Sequence, residues 1–321
     1  MSKPRVLVKG YKELPQIVMN LLKSKFNVTA IESYCFTRQE MLNILPGHDA
    51  LLYPRPFVKI DSEFLDVAGP NLKVISTLSV GHDHLDVDEI KKRGIKIGYC
   101  PNASTAAVAE IAVMLILCAS RRAHEGRLKL EQADIFPTFQ WMVGFDLRGS
   151  TVGIVGLGNI GQEVIKRLQG FQVGKFLYTG HSRKAEGEKL GAQFMSLDEL
   201  LYESDVIVVA TPLNSETLEM FDDKMFAKMK KNAVFVNVGR GKVVKTEALV
   251  RALKNKIIFA AGLDVTDPEP LPPDHDLLKF PNAVILPHLG SATVKTREEM
   301  SMIAAENIIN ALEGKPMPFA L

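Results

Sequence analysis

Short runs of β-prone apolar residues, separated by helical patterns, recur along most of the chain and constrain its fold more than any other feature. In the first hundred residues they are RVLV (5–8), NVTAI (27–31), ALLY (50–53), KVIST (73–77) and IKIGY (95–99). Amphipathic stretches such as ELPQIVMNLLKSK lie between them. From Thr151 the rhythm restarts with TVGIVG, KFLYTG, DVIVVAT, AVFVNVG, FAAGLDV and NAVILPH. Strands that are apolar at nearly every position belong to parallel sheets covered by helices on both faces. Two such series predict an α/β chain with two doubly wound parallel-sheet domains, and 321 residues suffice for both. Between the series, STAAVAEIAVMLILCASRRAHEG (104–126) reads as one long helix, apolar nearly all round. A last helical pattern, REEMSMIAAENIINALEG (297–314), needs a core to cover, and the first sheet is the candidate.

Within the second series one turn carries chemistry. Gly156, Gly158 and Gly161 form GLGNIG directly after TVGIV and before a helical pattern. Out of context GxGxxG is weak; between a strand and a helix it reads as a dinucleotide turn. Gly156 permits the tight turn, Gly158 lets the backbone approach a pyrophosphate, and Gly161 lets helix and strand pack closely. The N–H groups of Asn159 and Ile160 stand at the positive helix end, where phosphate binds. After the next strand, FLYTG, an NAD enzyme usually carries an acid for the ribose. Here the residues are His181, Ser182, Arg183 and Lys184. A carboxylate would repel a 2′-phosphate, and these groups would bind it, so NADPH is the expected cofactor and NADH the weaker one. A solvated polar loop is the alternative.

Three segments close later strands: NVGRG with Arg240, LDVTDPEP with Asp264 and Glu269, and ILPHLGSAT with His288. Ligands of open α/β sheets lie beyond the carboxyl ends of the strands. Reduction of a ketone by hydride needs a proton donor, and a His serves near neutral pH. A neighbouring carboxylate would favour the imidazolium, a role for Glu269. A guanidinium holds a substrate carboxylate by two parallel bonds, a role for Arg240. On spacing alone each residue has a plainer reading: a structural His after a strand, or an Arg in a surface turn between glycines.

The chain resembles D-isomer-specific 2-hydroxyacid dehydrogenases over essentially its whole length. The resemblance is carried by STLSVGHDHLD, VGIVGLGNIGQ, VFVNVGRGKVV, AAGLDVTDPEPLP and VILPHLGSAT. The last two, with LYTGHSRK, are most similar to the eukaryotic glyoxylate reductase/hydroxypyruvate reductase branch. The resemblance implies a Rossmann cofactor domain, 103–287, inserted in a flavodoxin-like substrate-binding domain, 1–102 and 288–321. It implies Arg240, Glu269 and His288 as the catalytic set, with substrate also meeting the amides of Val80 and Gly81. Asp264 and Ser291 would lie beside substrate and nicotinamide, and Pro212, Val238 and Gly290 would line the cofactor cleft. The implied assembly is a homodimer in which Trp141 reaches the partner's active site. The implied reaction is NADPH-dependent reduction of glyoxylate to glycolate and of hydroxypyruvate to D-glycerate. A reductase of other 2-keto acids and a dinucleotide-sensing corepressor are the alternatives. Arg55 departs from the branch, which more usually has an apolar side chain there.

Totals bound the remaining classes. A net charge of +2 is too balanced to argue for nucleic acid or an anionic membrane. The longest apolar run, 111–119, is too short to span a bilayer. Three cysteines with no CxxC pair read as reduced thiols, so the expected location is cytoplasmic. His82-Asp83-His84 has no further ligand nearby in sequence, and no metal is expected.

Overall fold

The computed structural model describes every residue except 1–2, 11, 13, 32–36, 55–57 and 137. Arg55 therefore lies outside the described residues. The chain divides into two compact units, Met1–Ser104 with Ala292–Leu321, and Thr105–Ser291.

The first unit contains β1 (Arg5–Lys9), α1 (Gln16–Lys25), β2 (Asn27–Ile31), α2 (Arg38–Ile44), β3 (Ala50–Tyr53) and α3 (Ser62–Ala68). They are followed by β4 (Val74–Thr77), α4 (Val87–Lys92) and β5 (Lys96–Gly98). Its sheet is parallel in the order β2-β1-β3-β4-β5, the flavodoxin-like arrangement. Side-chain alternation sorts the apolar runs onto two faces. Val6, Val8 and Val74 pack with Val18 and Leu22 of α1. Leu7, Leu51 and Ile75 face the opposite way, with Met41, Phe64 and Ile90 of α2, α3 and α4. The C-terminal helix, Val294–Leu312, returns to the first of these faces, where Met300, Ala304 and Ile308 are buried. The core that this last helical pattern requires is therefore the first sheet.

The second unit opens with α5 (Thr105–Ser120) and α6 (Ala123–Glu131), where the sequence suggested one helix. The break falls at Arg121-Arg122, and Arg122 is left-handed at φ 54°. Phe145 donates its backbone N–H to the Ser120 carbonyl beside the break. Then come β6 (Thr151–Val155), α7 (Asn159–Leu168), β7 (Lys175–Thr179), α8 (Ala185–Lys189), β8 (Ala192–Phe194) and α9 (Leu197–Glu203). They lead to β9 (Val206–Val209), α10 (Asp223–Ala227), β10 (Val234–Asn237), α11 (Thr246–Lys254), β11 (Ala260–Leu263) and β12 (Ala283–Ile285), and α12 is the C-terminal helix already described. The parallel order β8-β7-β6-β9-β10-β11-β12 is that of a Rossmann sheet with one strand added. α5 and α7 cover one face with Val152, Ile154, Val206 and Val234. α9, α10 and α11 cover the other with Ile207, Val209 and Phe235. Two doubly wound sheets are thus observed. The strand β8, at one edge, was not anticipated.

Candidate active site

The strand order reverses beside β6, so a crevice opens past its C-terminal end. Gly156, at φ 97°, makes the turn there, and a side chain would not fit, since a Cβ would lie 2.9 Å from the Ala210 carbonyl oxygen. At Gly158 a Cβ would meet nothing within 4 Å, so the turn faces open space. Gly161 packs against the turn, its Cβ position 2.5 Å from the Gly156 oxygen. Asn159 and Ile160 lie in the first turn of α7, at the positive end of its dipole. Backbone approach, open space and helix dipole together fit the pyrophosphate of a dinucleotide.

Past β7, the His181 and Arg183 side chains are exposed, with glutamates 3.6 Å away at Glu216 and Glu188 respectively. Ser182 is exposed as well. Lys184 differs: its Nζ donates to the Leu157 carbonyl in the glycine turn at 3.0 Å. Pro212 follows β9 and is exposed; Val238 follows β10 and is buried.

At the carboxyl ends of β10, β11 and β12 the predicted acid–base set comes together. His288 Nδ1 lies 2.6 Å from Glu269 Oε1, and the two side chains are 47% and 41% exposed. Burial pushes the Glu269 carboxyl up. The His288 hydrogen bond and charge, the Thr266 amide and the Arg240 charge outweigh it and hold the carboxyl below its usual range. The Arg240 loop and the Glu269 loop pass backbone to backbone, for a Cβ at Gly241 would lie 1.9 Å from the Thr266 oxygen. Gly241, next to Arg240, is thus packed against the loop that carries Glu269.

Sequence reasoning missed how Arg240 is held. Asn237, buried at the end of β10, accepts from the Gly239 N–H at 3.0 Å and donates to the Arg240 carbonyl at 2.9 Å. The Asn of NVGRG was the available signal.

Asp264 is 2% exposed and accepts the N–H groups of Leu289 (2.7 Å) and Gly290 (2.8 Å). Its own carbonyl accepts the His288 N–H at 2.9 Å. Burial raises the Asp264 carboxyl above its usual value, against those amides and the His288 charge. The turn it grips is unusual, since His288 sits at φ 57°. Left-handed backbone in a non-glycine residue costs about 1–3 kcal/mol and persists only where its surroundings impose it. Gly290 is buried against Asp264, and Ser291 is half-buried next to it.

Val80 and Gly81 belong to the first unit, on the loop after β4, where Ser79 Oγ donates to the Gly81 carbonyl at 2.7 Å. His84, on the same loop, is buried with its ring beside Tyr53. Among the described residues no group of three or more His, Cys, Asp or Glu could hold a metal ion. Nor is any helix among them long and apolar enough to cross a membrane.

A Rossmann sheet with an open glycine turn and a His–carboxylate pair at its C-terminal edge places the chain among nicotinamide-dinucleotide oxidoreductases. Residues 113–290 match the NAD binding domain of D-isomer specific 2-hydroxyacid dehydrogenases. The chain belongs to this family and is an NAD(P)-dependent 2-hydroxyacid dehydrogenase.

It is 50% identical over 265 residues to the glyoxylate reductase/hydroxypyruvate reductase of Mus musculus, covering 82% of this chain and 81% of that one. It is 43% identical to the glyoxylate reductase of Thermofilum pendens over 100% of this chain and 95% of the other. Among solved structures it is similar to an NADPH-dependent glyoxylate/hydroxypyruvate reductase from Sinorhizobium meliloti in complex with NADP and malonate. The TM-score is 0.84 at 30% identity, over 100% of this chain and 97% of that one.

Proposed function

We propose that the chain is a homodimeric, NADPH-preferring reductase of glyoxylate and hydroxypyruvate, producing glycolate and D-glycerate. The observation that carries the reading is the His288–Glu269 pair, 2.6 Å apart at the C-terminal edge of the Rossmann sheet. A reduced nicotinamide, when bound, would supply the hydride for the carbonyl carbon of the keto acid. His288, with Nδ1 turned to Glu269, offers Nε2 to the carbonyl oxygen and donates the proton that converts the nascent alkoxide to alcohol. Glu269, ionised, stabilises the imidazolium before that transfer and fixes the ring. Arg240 holds the substrate carboxylate. Asp264 keeps the His288 turn in place. The amides of Val80 and Gly81 are assigned to the substrate by family resemblance.

NADPH preference is supported by the loop 180–184, which has cations and donors and no carboxylate. The Sinorhizobium meliloti enzyme, with NADP bound, is similar over the whole chain. A homodimer is supported by the apolar surface around Trp141: Phe136 is 69%, Phe139 97% and Val143 54% exposed. α6, beside it, has no buried residue. A cytoplasmic location rests on the cysteine pattern of the sequence; burial pushes the Cys100 thiol up to about 12, which makes it a packing residue.

Steady-state assays of glyoxylate, hydroxypyruvate and phenylpyruvate with NADPH and NADH test the reading. It expects the two small keto acids with NADPH to give the highest kcat/KM. Preference for phenylpyruvate would assign a reductase of bulkier acids, and binding of cofactor without any turnover would favour the sensor.

A further inference from the structure

We propose that Tyr178 is a positioning residue for NADPH selection, closing the 2′-phosphate loop as a clamp, with Lys184 as the point on which it acts. The inference rests on the NADPH reading above. Tyr178 lies in β7, is 1% exposed and has no route to the cofactor itself. Its hydroxyl accepts the Lys184 backbone N–H at 2.8 Å and donates to the Lys184 carbonyl at 3.2 Å. Only a hydroxyl does both, being donor and acceptor at one atom. The ring fits because residue 187 is glycine: a Cβ there would lie 2.4 Å from Tyr178 Cε1.

The consequence is geometric. Gly180, His181, Ser182 and Arg183 span two fixed points, the end of β7 and Lys184. Lys184 is then tied a second time, through Nζ to the Leu157 carbonyl in the glycine turn at 3.0 Å. The lysine thus joins the phosphate loop to the pyrophosphate turn. His181, Ser182 and Arg183 are left turned outward, and Arg183, 68% exposed, carries the permanent charge that would read the 2′-phosphate. Pre-ordering a loop in its binding conformation improves affinity by lowering the entropy lost on binding. The clamp therefore acts on NADPH affinity through Arg183, and not on hydride transfer.

The test is direct measurement of Kd for NADPH and NADH by fluorescence titration at low and high salt. The proteins are unmodified enzyme, Tyr178→Phe, Lys184→Met, Arg183→Ala and the double variant Tyr178→Phe/Arg183→Ala. Tyr178→Phe keeps the ring packing and loses both hydrogen bonds. It should raise Kd for NADPH by about three- to tenfold, the scale of one or two neutral hydrogen bonds. Kd for NADH should stay within about twofold. In the Arg183→Ala background, Tyr178→Phe should shift the NADPH/NADH ratio no further, because the clamp works through the arginine.

Lys184→Met lies outside the core and gives a second reading if Tyr178→Phe folds poorly. Its loss should be insensitive to salt, since a positioning bond is not a screened charge on the phosphate. An unchanged ratio in Tyr178→Phe, equal losses for both cofactors, additive losses in the double variant, or a strongly salt-dependent Lys184→Met would each overturn the clamp. If the unmodified enzyme binds NADH as tightly as NADPH, the cofactor reading itself fails. If it prefers NADPH and that preference survives Tyr178→Phe, only the clamp fails.

Discussion

Replacing Glu269 by Gln removes one charge from the acid–base pair and little else. The amide oxygen still accepts from the His288 Nδ1–H, so ring orientation is kept. What is lost is the attraction between a carboxylate and an imidazolium 2.6 Å apart. With side chains 47% and 41% exposed, solvent screens the pair and a water-like dielectric applies. Two unit charges at that distance attract by about 1.6 kcal/mol at the dielectric of water and by about 3 kcal/mol at half that value. At about 1.4 kcal/mol per factor of ten, Glu269→Gln should lower kcat by roughly 15- to 150-fold near pH 7.

The pH dependence has a definite sign. Glu269 is held below its usual range, so its ionised state is lost only as pH falls through that lowered value. Between about pH 5 and 8 the ratio of unmodified to variant kcat should therefore be flat with respect to Glu269. Pre-steady-state reduction of glyoxylate, with cofactor Kd measured in parallel, is the assay. A kcat within threefold of the unmodified enzyme, or a loss that appears in cofactor affinity instead, would refute the pairing.

Asp264 is perturbed in the opposite direction, its pKa raised from 3.8 mainly by burial. Its stabilising contribution is full below that unperturbed value and is lost as pH rises through the raised one. The Tm difference of unmodified enzyme minus Asp264→Asn should accordingly fall from pH 4 upward; a difference that grows would contradict this. At Gly290 a Cβ would lie 2.8 Å from Asp264 Oδ2 and 3.1 Å from Val108 Cγ2. Gly290→Ala should destabilise by about 1–3 kcal/mol in thermal unfolding and lower kcat, as overpacking at a fixed site does. Phe139, 97% exposed, belongs to the apolar surface on which the proposed dimer rests, so Phe139→Asp should give a monomer in light scattering. Trp141→Ala should raise KM, and a fully active monomeric unmodified enzyme would refute the shared site.

The sequence exposed the elements whose physics is local. GLGNIG follows β6 and opens α7 because its turn needs a positive φ at Gly156 and close packing at Gly161. The buried strands were visible as apolar runs because both faces of each sheet are covered. β8 was not, since its segment AQF is too short to establish a period. The break between α5 and α6 also escaped, for Arg122 takes up left-handed backbone with no Gly or Asn to signal it. Glu269 and His288 are 19 positions apart, and their partnership depends on β11 and β12 being neighbours. The chemistry of the residue types suggested it, and family resemblance, not spacing, decided it. The division of labour inside HSRK was invisible, because nothing in the letters says that Lys184 turns back to Leu157.

The left-handed backbone at His288 bears on how its chemistry is dissected. Alanine or valine at this position would remove the imidazole and also resist φ 57°, so their effects mix lost proton donation with a displaced turn. Asparagine tolerates that conformation. His288→Asn is therefore the replacement whose deficit reports the missing proton alone, and the excess deficit of His288→Val over it measures how firmly Asp264 holds the turn.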